Sequence, residues 1–419
     1  MTDFETNSRS FEYRDGELFA ESVPLKVIAE TYGTPVYVYS KEAVLDAYTG
    51  YQNGLEGVPH LICYAVKANG NVAVMKMLAE RGAGADLTSA GEMHLAKTAG
   101  IPPERMVFSG VGKTAQEIES ALELGVLMFN VESSAELNVI ASVAKKIGKT
   151  AHISVRVNPN VDAKTHPKIS TGLKEHKFGV PWEECLALYE RAASLDSIKI
   201  RGISAHIGSS LPDAQPLLDA LDKILSLHAQ LKEWGIEVPY VDIGGGLGIR
   251  YSQETPLSTK EFAQRLKEKI KDAGVTLIIE PGRSIMGNAG ILLCETQYVK
   301  RTADRTFVII NAAMNDLARP AMYGAHHNIS PISTGKPIET VDVVGPICES
   351  SDVFGKGLSL PQCEPNDLLA ICSAGAYGFS MASQYNGRVR CAEVLVDGDT
   401  HRLVRRREEL DELTRLQVY

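Results

Sequence analysis

From about residue 60 to residue 284 the chain alternates short β-rich apolar runs with longer stretches whose apolar positions recur at helical spacing. The strand runs are LICYAVK (61–67), GADLTS (84–89), MVFSG (106–110), LMFNVES (127–133), HISVRVN (152–158), IRGISAH (200–206), YVDIGG (240–245) and TLIIEPG (276–282). Between them lie VAVMKMLAERG, AGEMHLAKTAG, TAQEIESALELG and SSAELNVIASVAKKIG, each closing on glycine as helix C-termini often do. Apolar strands joined by helices predict a parallel sheet covered on both faces. Eight such repeats over roughly 250 residues predict a (β/α)8 TIM-like barrel. An open doubly wound sheet has the same periodicity and stays open as an alternative.

Past residue 285 helical patterns become scarce. GILLCETQYVKR, RTFVIINAAM, DLLAICSAGAY and RCAEVLVDG read as sheet strands. FEYRDGELFAE reads as a hairpin turning at Asp15-Gly16. An isolated hairpin is marginal, so it is expected to pair with the C-terminal sheet. The chain therefore divides into a barrel over 31–284 and a mostly-β domain built from 1–30 and 285–419. A length of 419 residues agrees with two cores rather than one.

Composition narrows the partners. Hydrophobic residues make up 44% and charged residues 23%, as in ordinary globular proteins. A net charge of −9 argues against nucleic acid as the main partner. No apolar run reaches membrane-spanning length, and MTDFETNSRS lacks the apolar stretch of a signal peptide. The seven cysteines are scattered without a CxxC, which predicts neither a disulfide framework nor a zinc site, and fits a cytoplasmic location. His326 and His327 are adjacent, lack ligand spacing and read as surface residues rather than a metal site.

In a barrel, chemistry belongs at the C-terminal ends of the strands. There the chain carries Lys67, Arg156 and Asn158, His206, Gly244-Gly245-Gly246, and Glu280-Pro281-Gly282-Arg283. Glycines let backbone N–H groups approach an anion, and the last two strand ends of a barrel often hold a phosphate. Alone, a glycine triplet reads as a tight turn. A dinucleotide G-x-G-x-x-G fails here, because Ile249 or Tyr251 stands where the third glycine belongs. A lysine, a phosphate cradle, a histidine and a glutamate at one mouth suit pyridoxal 5′-phosphate. Either His206 or Glu280 alone reads as a hydrogen-bonded structural residue; together with the lysine, whose amine can bond to the aldehyde carbon, Glu280 could keep the ring nitrogen protonated and His206 could lie against the ring. Arg156 and Asn158 read as ordinary strand caps, and Cys63 as a core residue.

YAVKAN, HIGS, DIGGGLG and EPGR, in that order, resemble the decarboxylase branch of the alanine racemase-like (fold type III) pyridoxal-phosphate enzymes. MNDLARPAMY (314–323), VVGPICESSD (343–352), SAGAYGFSMAS (373–383) and HPKISTGLKEHKFG (166–179) closely resemble the diaminopimelate decarboxylase family, over about residues 20–415. The resemblance implies a barrel plus β-domain paired as a head-to-tail homodimer with shared active sites. It implies conversion of the amino acid meso-diaminopimelate to L-lysine and CO2. It further implies that Lys67 holds the cofactor and His206 stacks on its ring. Gly245, Gly246, Gly282 and Arg283 surround the phosphate, with Glu280 on the ring nitrogen and Tyr377 near cofactor and substrate. By the same resemblance, Arg283, Arg319 and Tyr323 would bind the distal carboxylate, Glu349 the distal ammonium, and Cys348, delivered with Glu349 from the partner subunit, would donate the proton. Without the motif, Cys348 reads as a small core residue after an apolar run, and Arg319 and Tyr323 as a surface pair on one helical turn. One departure is Ser210 in HIGSS, where the family pattern leads us to expect glutamine. Ornithine, arginine or carboxynorspermidine decarboxylases share the cofactor set but need a different handle for the substrate. A non-catalytic regulator on this scaffold should lack Lys67 or Cys348, and both are present.

Overall fold

The computed structural model describes residues 4, 6–161 and 177–418, in two compact units. Most of HPKISTGLKEHKFG lies outside the described residues. One unit comprises Ala47–Gly248 and Thr255–Ser284. Its eight strands are His60–Ala65, Gly84–Leu87, Met106–Phe108, Met128–Val131, Ala151–Asn158, Ile198–Ser204, Tyr240–Asp242 and Thr276–Ile279. Each pairs in parallel with the next. The eighth pairs with the first, Leu277 opposite His60 and Ile279 opposite Ile62, so the sheet closes and the open-sheet alternative falls. A two-residue strand, Val180–Pro181, adds to the end of Ala151–Asn158.

The strands are apolar on both faces because both are covered. Cys63, Val107, Met128 and Ile278 pack together inside the sheet. The helix Gln215–Glu233 buries Leu217, Leu221, Ile224, Leu227 and Leu231, an apolar stripe at helical spacing. Helix starts are set locally: Thr114 with Glu117, and Ser258 with Glu261, form reciprocal capping boxes. Helix Ala115–Leu124 stops at Gly125, whose φ of 85° suits glycine.

The other unit comprises Met1–Asp46, Ile249–Glu254 and Ile285–Tyr419. Its large sheet runs in the order Val353–Pro361, Ile338–Val344, Thr306–Ile310, Gly290–Arg301, Val36–Ser40, Ala392–Asp397 and Thr400–Arg405. Leu368–Ile371 pairs with Gly290–Arg301 and with Ile329–Pro331. Alternate residues Val36 and Val38, Ile291 and Leu293, Val394 and Val396 face one core with Phe11, Leu18 and Ile28. Residues 31–46 fall on the barrel side of the boundary expected from sequence, yet Val36–Ser40 lies between Gly290–Arg301 and Ala392–Asp397. That strand is buried along its whole length, as barrel strands are, so composition does not separate the two sheets.

The hairpin forms as expected, with Asp15 and Gly16 at φ of 50° and 82° between Phe11–Arg14 and Glu17–Ala20. Its sheet partner is instead Val23–Pro24, in a three-stranded sheet of its own. A single bridge from Glu17 to Ser333 and the Leu18 N–H to Ile332 carbonyl bond (2.8 Å) reach the segment after Ile329–Pro331. The nearer strand takes the hairpin's edge. No helix among the described residues is long and apolar enough to cross a membrane.

Candidate active site

The barrel strands end on one mouth. Lys67 lies just past its strand, on the 3-10 turn Val66–Ala68 rather than in the strand itself. That turn aims the side chain inward: Nζ donates to Asp86 Oδ2 at 2.5 Å, with Lys67 partly exposed and Asp86 fully buried. The Ala65 N–H donates to the Pro281 carbonyl at 3.1 Å, which ties the Lys67 turn to the Glu280–Arg283 turn.

Two carboxyl groups sit behind Lys67. Burial, then the charges of Asp242 and Asp86, push Glu280 well above the usual carboxylate range. Burial also pushes Asp242 up to about 6, against the pull of hydrogen bonds from the Gly244 N–H (2.8 Å), Glu280 and Asn130. The Asn130 amide donates to Asp242 Oδ2 at 3.2 Å and Ser109 Oγ at 3.1 Å, and reaches Glu280 Oε1 at 3.4 Å.

The glycines have local reasons. Gly244, at φ +67°, has no room for a Cβ because the His206 ring lies against it. At Gly245 a side chain would strike the Glu280 carbonyl, and at Gly246 the Gly208 carbonyl at 2.8 Å. At Gly282 it would come within 2.8 Å of Ala68 Cβ. The triplet and EPGR therefore pack against each other and against the HIGSS loop. Arg283 is buried and reaches Ser209 Oγ through Nη2 at 3.2 Å. Burial, then the positive charges of Arg156 and Lys67, push His206 well below its usual 6.5, so the imidazole is neutral at pH 7. Arg156 pairs with Glu132 at 2.7 Å and lies over the Phe178 ring, a structural ion pair at a strand end. Ser210 adopts φ 61°.

The other five predicted residues belong to the β unit. Arg319 and Tyr323 start and end the helical turn Arg319–Tyr323. Arg319 is buried rather than half of a surface pair. Cys348 is exposed while the other six cysteines, Cys63 among them, are buried. Asp352 shapes its loop, accepting from the Ile347 N–H at 2.8 Å and the Met314 N–H at 2.7 Å. Glu349 accepts from the Tyr385 hydroxyl at 3.2 Å. Tyr377 sits at φ 57°, a left-handed conformation unusual for a bulky residue and common at functional sites. His327 corrects the sequence reading: it is 2% exposed, not a surface residue, because Arg319 Nη1 and the Cys372 carbonyl engage both its ring nitrogens. His326 is exposed as expected. No group of three or more possible metal-ligating side chains occurs among the described residues.

Residues 42–287 match the family described as pyridoxal-dependent decarboxylase, pyridoxal binding domain, which makes the barrel the cofactor domain of a decarboxylase of that class. Relatives over the whole length narrow the class. The chain is 48% identical to the diaminopimelate decarboxylase of Aquifex aeolicus, over 96% of this chain and 95% of that one. It is 49% identical to the Pseudomonas aeruginosa enzyme, over 96% and 97%. Among solved structures, Helicobacter pylori diaminopimelate decarboxylase complexed with L-lysine matches with a TM-score of 0.91 at 44% identity, over 94% and 99% of the two chains. The M. jannaschii enzyme in co-complex with L-lysine matches with a TM-score of 0.94 at 39%, over 99% of each. The chain belongs to the diaminopimelate decarboxylase family.

The cofactor of the class is pyridoxal 5′-phosphate, and the residues at the mouth fit it. Asp86, Asp242 and Glu280 gather near Lys67, and burial pushes the last two up from the usual carboxylate range. A protonated ring nitrogen would supply a compensating positive charge. Asp86 Oδ1 and Asn130 Oδ1 are buried without a hydrogen-bond partner among the described residues, a further polar demand in the same place. Asp86, Asp242, Asn130 and Ser209 were missed as site residues in the sequence reading. The available signal was a carboxylate inside an apolar strand, in GADLTS and again in YVDIGG.

Proposed function

We propose that this chain decarboxylates meso-diaminopimelate to L-lysine and CO2 in lysine biosynthesis, as a head-to-tail homodimer in which Cys348 and Glu349 of one subunit complete the site of the other. The observation that carries the reading is the partly exposed Lys67 amine beside the buried Asp86 carboxylate at the barrel mouth, where burial pushes the Glu280 carboxyl up. When bound, the cofactor acts as an electron sink for the pair released with CO2. Lys67 Nζ would hold it, His206 would lie against its ring, and Gly245, Gly246, Gly282 and Arg283 would surround its phosphate. Glu280, backed by Asp242, would keep a proton at the ring nitrogen. Tyr377 would sit near cofactor and substrate.

Orienting the bond to be broken is a positioning problem for this chain's own residues. The far end of the substrate is the handle. Arg283, Arg319 and Tyr323 bind its carboxylate, a planar anion suited to guanidinium, and Glu349 binds its ammonium. Cys348 Sγ then gives a proton to the carbon that has lost CO2, and solvent restores the thiol. The exposure of Cys348, alone among seven free cysteines, supports this role, and free thiols suit a reducing cytoplasm. A substrate panel tests the reading: meso-diaminopimelate should turn over fastest, with L-lysine as product. Faster turnover of ornithine or arginine would overturn it.

A further inference from the structure

Arg319 is held by groups to which the roles above give no part. The residue is 6% exposed, and its guanidinium Nη1 donates to His327 Nε2 at 2.9 Å. A guanidinium has no lone pair to offer, so Nε2 carries no hydrogen. His327 Nδ1 lies 2.8 Å from the Cys372 carbonyl oxygen, which has no proton to give, so Nδ1 carries one. The two contacts together assign a neutral imidazole in a single tautomer. Tyr251 closes the group, with its ring 4.8 Å from the guanidinium carbon and edge-on to the His327 ring at 5.4 Å and 79°. Glu254 fixes Tyr251 in turn by accepting its backbone N–H at 3.0 Å.

We propose that His327 is a positioning residue for substrate binding: it orients Arg319 toward the distal carboxylate without cancelling its charge. The inference rests on Arg319 as a ligand of that carboxylate. A carboxylate in place of His327 would orient the guanidinium equally well but would already satisfy it electrostatically, and an incoming anion would gain less. A neutral nitrogen acceptor and an aromatic face both hold a cation and leave its charge available. The Cys372 carbonyl locks the tautomer, so the lone pair always points at Arg319. His327 touches neither substrate nor cofactor in this scheme, so its effect should appear in KM more than in kcat.

The test is steady-state kinetics with meso-diaminopimelate on the full-length holoenzyme for His327→Leu, His327→Gln, His327→Glu, Arg319→Gln and Arg319→Gln/His327→Leu. Cofactor absorbance and melting midpoint are recorded for each. Losing a hydrogen bond to a charged group should raise KM about 10- to 100-fold in His327→Leu, with kcat and the cofactor spectrum little changed. His327→Gln carries an oxygen acceptor near the Nε2 position and should restore KM to within about threefold of the native enzyme. His327→Glu, which accepts but neutralises, should remain as poor as His327→Leu. The double variant should be no worse than Arg319→Gln alone, because His327 acts only through Arg319. A native KM in His327→Leu or His327→Glu overturns the inference, as does additivity in the double variant. If His327→Leu does not fold, the comparison of His327→Gln with His327→Glu decides. A native KM in Arg319→Gln sinks the underlying reading as well. A raised KM there with a native one in His327→Leu sinks the positioning role alone.

Discussion

Removing the Asp242 carboxylate should make the cofactor-free protein less sensitive to alkaline pH. Asp242 is buried at the barrel mouth, and burial raises its pKa from 3.8 to about 6. A raised carboxyl pKa means that the folded protein keeps a proton that the unfolded chain has already lost. Between about pH 4 and 6 the folded state binds more protons, so stability falls as pH rises. The favourable contribution is fully present below 3.8 and is lost as pH climbs through 6. The whole shift corresponds to about 3 kcal/mol, of which roughly half falls between pH 5 and 8. Asp242→Asn removes the titration, while its amide oxygen can still accept the Gly244 N–H that shapes the glycine turn. Glu280 then loses a charged neighbour and ionises more readily, which flattens the profile further. Urea unfolding of both cofactor-free proteins at pH 5 and 8 measures the difference. The native protein should lose about 1 kcal/mol or more beyond the loss in Asp242→Asn over that interval. Bound cofactor should shrink the gap, because its protonated ring nitrogen compensates the carboxylates. Parallel profiles for the two cofactor-free proteins would refute the reasoning.

Cys348→Ser should lower kcat about 10²- to 10⁴-fold with an unchanged melting midpoint, since the residue is exposed rather than packed and the proposed function gives it the proton. Gly282→Ala should destabilise by about 1–3 kcal/mol and weaken cofactor binding, because the new methyl meets Ala68 Cβ at 2.8 Å and Ala65 Cβ at 3.0 Å; thermal melts and a cofactor titration check it. Lys67→Ala and Cys348→Ala should each be nearly inactive. Mixed equally under subunit exchange, they should regain up to about a quarter of native activity if each site draws on two subunits, and nothing if it does not.

The barrel was legible because its strands are buried on both faces and its helices carry their own start and stop signals. Lys67, His206 and Glu280 could be picked out as polar residues at the ends of apolar runs. Asp86 and Asp242 were harder: each is one carboxylate within a strand, and only closure of the barrel shows that both face Lys67's mouth rather than solvent. Val36–Ser40 escaped assignment because its buried pattern suits either sheet. His326-His327 looked like a surface pair because adjacent residues carry no periodicity, and burial of one alone depends on the distant Cys372 carbonyl. Cys348 follows an apolar run that ordinarily continues a core; the loop built around Asp352 turns it outward.

Incubation of the holoenzyme with meso-diaminopimelate in deuterium oxide, followed by product analysis, probes decarboxylation and reprotonation together. The expected products are equimolar CO2 and L-lysine, with a single solvent-derived deuterium on the carbon that lost its carboxylate. Absence of CO2 release, or lysine formed without that deuterium, would contradict the proposed function.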